Sequence, residues 1–97
     1  MELLVGSDYE IEEFQLSHDP RRLRRIQGLS LAQLELGKRS GALILAIRDR
    51  QRLIANPGGD TLLAPGQLLI VLGSKGQLRQ FLTQLGDAVD GIETMTS

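Results

Sequence analysis

The sequence predicts a small α+β domain, a mixed or antiparallel sheet with two helices in the order β-α-β-β-β-α. Three observations carry this. Two segments open with Ser-x-x-Gln, "SLAQ" at 30–33 and "SKGQ" at 74–77, the pattern of a helix capping box. The apolar runs "ALILAI" (42–47) and "LLIVL" (68–72) have the length of strands and fall far short of a membrane-spanning helix. Between them, "NPGGDTLLAPGQ" (56–67) collects the residues that reverse a chain.

Residues 1–8 are expected to be a lead-in, 9–86 the domain and 87–97 a flexible tail. In "YEIEEFQLS" (9–17), Phe14 and Leu16 alternate with Glu13 and Gln15, which predicts a strand, and its acids place it at a sheet edge. "HDPRRLRRIQG" (18–28) lacks apolar periodicity and reads as a loop. Ser30 caps a short helix that Gly37 stops. "ALILAIR" (42–48) is apolar enough for a strand covered on both faces, and "RLIAN" (52–56) returns beside it as a hairpin. Pro65-Gly66 suits the central positions of a type II turn before the strand "QLLIVLG" (67–73). Ser74 caps the second helix, whose Leu78, Phe81, Leu82 and Leu85 recur at helical spacing as one core stripe, ended by Gly86.

The composition excludes several chemistries. The 97 residues contain no cysteine, which removes disulfides, thiolate metal sites and thiol nucleophiles together. His18 is the sole histidine, lies in a turn, and is expected to be solvated. No serine stands in a nucleophile-elbow pattern, and "PGGD" opens no helix and carries no P-loop lysine. A catalytic centre or metal site is therefore not expected. Charge is uneven: residues 1–19 hold six acids and no Lys or Arg, whereas 20–52 hold nine Lys or Arg against Glu35 and Asp49. Arg21, Arg22, Arg24 and Arg25 concentrate charge that could meet phosphates of an anionic lipid or a nucleic acid. Nucleic acid is disfavoured by the acidic overall balance and by the lack of interleaved aromatics for base stacking.

Residues 28–81, "GLSLAQLELGKRSGALILAIRDRQRLIANPGGDTLLAPGQLLIVLGSKGQLRQF", preceded by "EEFQL" (12–16), resemble the TrkA-C domain, the C-terminal half of regulator-of-potassium-conductance (RCK) modules. The resemblance rests on the helix opening G-x-S-L-x-x-L, on "AIRD" followed by "NP", and on "DTLLAPGQ" and "LGS" flanking the last strand. It implies a homodimer acting as a ligand-sensing or assembly domain of a potassium or other cation channel or transporter, at the cytoplasmic face of the membrane. The nucleotide-binding half that precedes such domains in regulator modules has no counterpart in these residues, so an excised or independent C-terminal part is expected. Two features depart from the family: Gln67 stands where an acid is usual, at the expected cost of a local turn contact, and the arginine loop replaces small and polar residues.

In members that bind cyclic dinucleotides, the ligand lies across the dimer two-fold. By position the resemblance carries that groove to Leu31, Ala32, Glu35, Leu36, Leu43 and Ile44. Gly37 stands where those members carry an arginine and Leu43 where they carry an asparagine. Lys38 and Arg39 follow the first helix and are the expected charge donors for cyclic di-AMP or another small anion, over an apolar floor of Leu43 and Ile44, with Glu35 nearly indifferent. Three readings differ in class: a small-molecule sensor, a dimerisation module without a ligand, and an anionic lipid or nucleic-acid binder acting through the arginine loop.

Overall fold

The computed structural model describes residues 8–94. Strands Glu10–Leu16 (β1), Leu43–Asp49 (β2), Arg52–Ala55 (β3), Leu68–Gly73 (β4) and Val89–Thr94 (β5) form one antiparallel sheet, in spatial order β3-β2-β4-β1-β5. Helices Leu31–Leu34 (α1) and Leu36–Ser40 (α2) precede β2, and Lys75–Leu85 (α3) follows β4. The expected α+β order is present, with a fifth strand added at the C-terminal end.

Helix α3 packs on one face of the sheet. Leu78, Phe81 and Leu85 are buried with Phe14, Leu16, Ile47, Leu69 and Val71, and the Phe14 and Phe81 rings stack with centroids 5.2 Å apart. Because strand side chains alternate, the cross-strand sets Ile44–Val71 and Ile47–Leu69–Phe14 face this core. The sets Leu43–Leu72, Ala46–Ile70–Glu13 and Arg48–Leu68–Gln15 face the other side. Leu82, expected in the core, is half-buried at the flank of the stripe.

Several expectations are corrected. Residues 89–94, expected in the tail, pair with β1 as β5, so β1 is an internal strand and its acids do not mark an edge. Only residues with partners to bond can form such a strand, and the short run "VDGIET" carries little signal of its own. The lead-in, save Asp8, and residues 95–97 lie outside the described residues. The "loop" at 18–28 contains a 3-10 turn, Pro20–Leu23, capped by Asp19 and anchored by buried Leu23 and Ile26. The first helix does not run to Gly37: Glu35, at φ 53°, breaks it, and α2 continues through Gly37 to Gly41, whose φ of 83° ends it. Strand β2 is not covered on both faces along its length: on the side away from the core Ala46 is buried, but Leu43 is 55% exposed.

Candidate functional site

The expected ligand groove is built from α1, α2 and the start of β2. Ser30 fixes α1 by accepting from the Gln33 N–H, and the Gln33 side chain accepts from the Ser30 N–H. The Leu31 N–H donates to Thr61 O and the Ala32 N–H to Gly59 O, so the 59–61 turn holds the helix start in place. A side chain at Gly59 would come within 3.3 Å of the Ala32 Cβ, which makes glycine the fitting residue at that approach. Ser40 closes α2 from within, donating to Leu36 O and accepting from the Ala42 N–H.

These elements distribute the expected residues unequally. Ala32, Glu35, Lys38, Arg39 and Leu43 are exposed, and Leu31 and Ile44 are half-buried against the core. Leu36 stands apart at 3% exposure: it is the core anchor of α2 and offers a ligand no surface. Leu43 and Ile44 are consecutive strand residues on opposite faces of the sheet, so they do not form one floor. Exposed leucines at 29, 53 and 62 add further apolar surface.

The charges are also arranged differently from the expectation. The Glu35 carboxylate lies between both cations, 3.8 Å from Lys38 Nζ and 3.9 Å from Arg39 Nε. All three groups are exposed, so each pair is weak and open to exchange with an incoming anion. Among the described residues no group of three or more His, Asp and Glu side chains is arranged to hold a metal ion, and no helix is long and apolar enough to cross a membrane.

In the arginine loop, Arg21 makes two bonds to the Asp19 carboxylate, at 3.0 and 3.2 Å, and Arg22 pairs with Asp90 and donates to Val89 O. Those bonds hold the Asp19 carboxyl below its ordinary value, chiefly through the Arg21 side-chain hydrogen bond, and raise Arg21 in return. Only Arg24 and Arg25 lack partners among the described residues, in a groove that also contains Asp19 and Asp87. Two of the loop's four charges are therefore paired within the fold.

Gln67 loses no turn contact. Buried at 3% exposure, its Oε1 accepts from the Ala64 N–H and its Nε2 donates to Asp49 Oδ2, two bonds of which an ionised acid could make only the first.

The TrkA-C domain model matches residues 25–86, well over half of the chain. The chain belongs to this family. No curated protein matches it. Among solved structures, the RCK_C domain dimer of S. agalactiae BusR in complex with c-di-AMP superposes with a TM-score of 0.68 at 22% identity, over 81% of this chain and 93% of that one. The RCK C domain of the potassium transport protein KtrA, also with c-di-AMP, gives 0.67 at 23%, over 84% and 88%. The GsuK channel bound to NAD gives 0.65 at 23%, over 87% of this chain and 15% of that one. BusR in complex with its busAB-promotor DNA gives 0.67 at 22%, over 78% and 35%. At these identities the likeness is one of fold, and this TrkA-C chain spans a small part of the GsuK chain and about a third of the BusR chain in the DNA complex.

Proposed function

We propose that this TrkA-C domain is a dimeric, ligand-sensing regulatory domain of a cytoplasmic potassium-transport assembly, with a small anion of the cyclic dinucleotide class bound beside α1, α2 and the start of β2. The observation that carries the reading is Leu43, 55% exposed at the start of β2, next to an exposed basic pair at the end of α2. A large apolar side chain left in water beside two cations suits a dimer two-fold that also receives an anion. Support comes from the two superposed RCK C domains whose complexes contain c-di-AMP. Lys38 and Arg39 bind the anion, Leu31 and Ala32 flank it, and Leu43 supplies apolar contact. A channel or transporter is the assembly partner, as the GsuK likeness supports.

Leu29, Leu43, Leu53 and Leu62, all exposed, favour a second reading in which the domain only dimerises. Calorimetry with c-di-AMP and sedimentation separate the two. Lys38→Ala with Arg39→Ala is expected to abolish anion binding and leave the dimer intact. Glu35→Gln is expected to tighten binding by up to about fivefold, since it frees both cations from a pair worth about 0.2–1 kcal/mol. A dimer that binds no cyclic dinucleotide supports the dimerisation module, and a monomer at high micromolar concentration overturns both.

A further inference from the structure

The β2–β3 hairpin, "RDRQR" (48–52), treats its arginines in the opposite way from the 21–25 loop. Arg48, Arg50 and Arg52 are all exposed, and none has a hydrogen bond or ion pair among the described residues. Asp49 and Arg52 are cross-strand partners, a position where opposite charges ordinarily pair. They form no ion pair within 4 Å, and the Asp49 carboxylate instead accepts from the buried Gln67 amide at 3.2 Å. The core thus holds back the one acid that would neutralise the hairpin. Arg50 is kept at φ 60°, a left-handed conformation that costs an L-residue energy and is retained where the surroundings impose it.

Arg50 and Arg52 border a groove of about 730 Å³ that is also lined by Asp49, Gln51, Ala64 and Pro65. Its volume falls in the range of small-molecule sites. Arg50 and Arg52 bring positive charge to the lining, and Ala64 and Pro65 form an aliphatic wall. That wall is fixed from behind, because Gln67 Oε1 accepts from the Ala64 N–H and Gly66 N–H donates to Ser17 O. A guanidinium binds phosphate oxygens in a planar, two-pronged geometry and stays charged at any physiological pH.

We propose that the hairpin groove is a second ligand site, for a nucleoside phosphate, with Arg50 and Arg52 on the phosphates and Pro65 against the base. The site is independent of the anion site at α2, and it stands or falls without the reading given above. Both arginines are exposed and unpaired, so replacing them leaves the fold intact.

The test is calorimetry on the full chain with ADP and with inorganic pyrophosphate. ADP is expected to bind, and more tightly than pyrophosphate, because only ADP uses the Pro65 wall. Arg50→Ala with Arg52→Ala is expected to weaken ADP binding at least about tenfold, since charge-assisted bonds to phosphate are the strong ones. Arg24→Ala with Arg25→Ala removes the same charge elsewhere and is expected to change it less than twofold. Lys38→Ala with Arg39→Ala is likewise expected to leave ADP binding in place, whatever it does to a cyclic dinucleotide. The proposal is overturned if ADP fails to bind at millimolar concentration, if pyrophosphate binds as tightly, or if either control pair weakens ADP as much as the hairpin pair does.

Discussion

Helices α1 and α3 begin alike and end differently. The Ser30 and Ser74 side chains each accept from the N–H three residues on, and each serine N–H donates in return to the Gln side chain there. Yet α3 runs eleven residues, whereas α1 stops after four. A cap sets where a helix starts and says nothing of its length. Length comes from the face that follows: α3 lays Leu78, Phe81 and Leu85 into the core, while α1 buries no residue fully. To bring Leu36 and Ser40 inward, the chain turns at Glu35 and starts again as α2. The break also sets Glu35 against Lys38 and Arg39 on the exposed side.

Substitutions that break or sharpen this contrast rank by burial. Phe81→Ala removes the ring stacked on Phe14 and is expected to cost about 3–5 kcal/mol in urea unfolding. Leu82→Ala, one residue on but half-buried, is expected to cost about 1–2 kcal/mol. Equal losses at the two positions would show that the stripe, and not its buried centre, holds α3.

Ser74→Ala is expected to cost about 1 kcal/mol, as a lost cap ordinarily does. Ser30→Ala should cost a similar amount, and hydrogen exchange at residues 31–34 should rise with it, since α1 has only the 59–61 turn and its cap to hold its start. A protected α1 without Ser30 would mean that packing of Leu31 and Leu34 is sufficient.

Glu35→Gly tests the break itself. The left-handed conformation costs an L-residue about 1–2 kcal/mol and glycine loses about 0.5–1 kcal/mol of extra freedom on folding, so a small net gain of about 0.5 kcal/mol is expected in thermal unfolding. Destabilisation instead would assign the carboxylate pairs with Lys38 and Arg39 a structural role.

The smallest effect is at the 3-10 turn. Asp19 is held below its ordinary value of 3.8 by the Arg21 side-chain hydrogen bond first and the Arg21 N–H second. A group depressed on folding stabilises the native state above its ordinary value, and that contribution disappears as pH falls through the folded one. Between neutral pH and pH 3, Asp19→Asn should therefore show a slightly flatter stability profile than the parent chain. Identical profiles would show that the exposed cap contributes nothing to folding.

Local chemistry made much of this molecule legible in sequence. The two capping boxes, the hairpin between "ALILAIR" and "RLIAN", the Pro65-Gly66 turn with Gly66 at φ 81°, and the strand and helix that follow it all stand where short-range rules put them. The family was legible for the same reason, since its signals are helix openings and turns at set spacings. What local rules could not supply were outcomes of long-range pairing. Strand β5 exists because β1 presents it an edge, and the helix breaks at Glu35 because Leu36 has a core to enter. Leu43 and Ile44 part company because the sheet has a covered and an open face. Charge followed the same division: the sequence counted the arginines, but only the folded chain decided that Asp19 and Asp90 would occupy Arg21 and Arg22 while Gln67 drew Asp49 away from Arg52. An ion pair depends on which groups the fold brings within a few ångströms, and neighbours on the chain are only some of those groups.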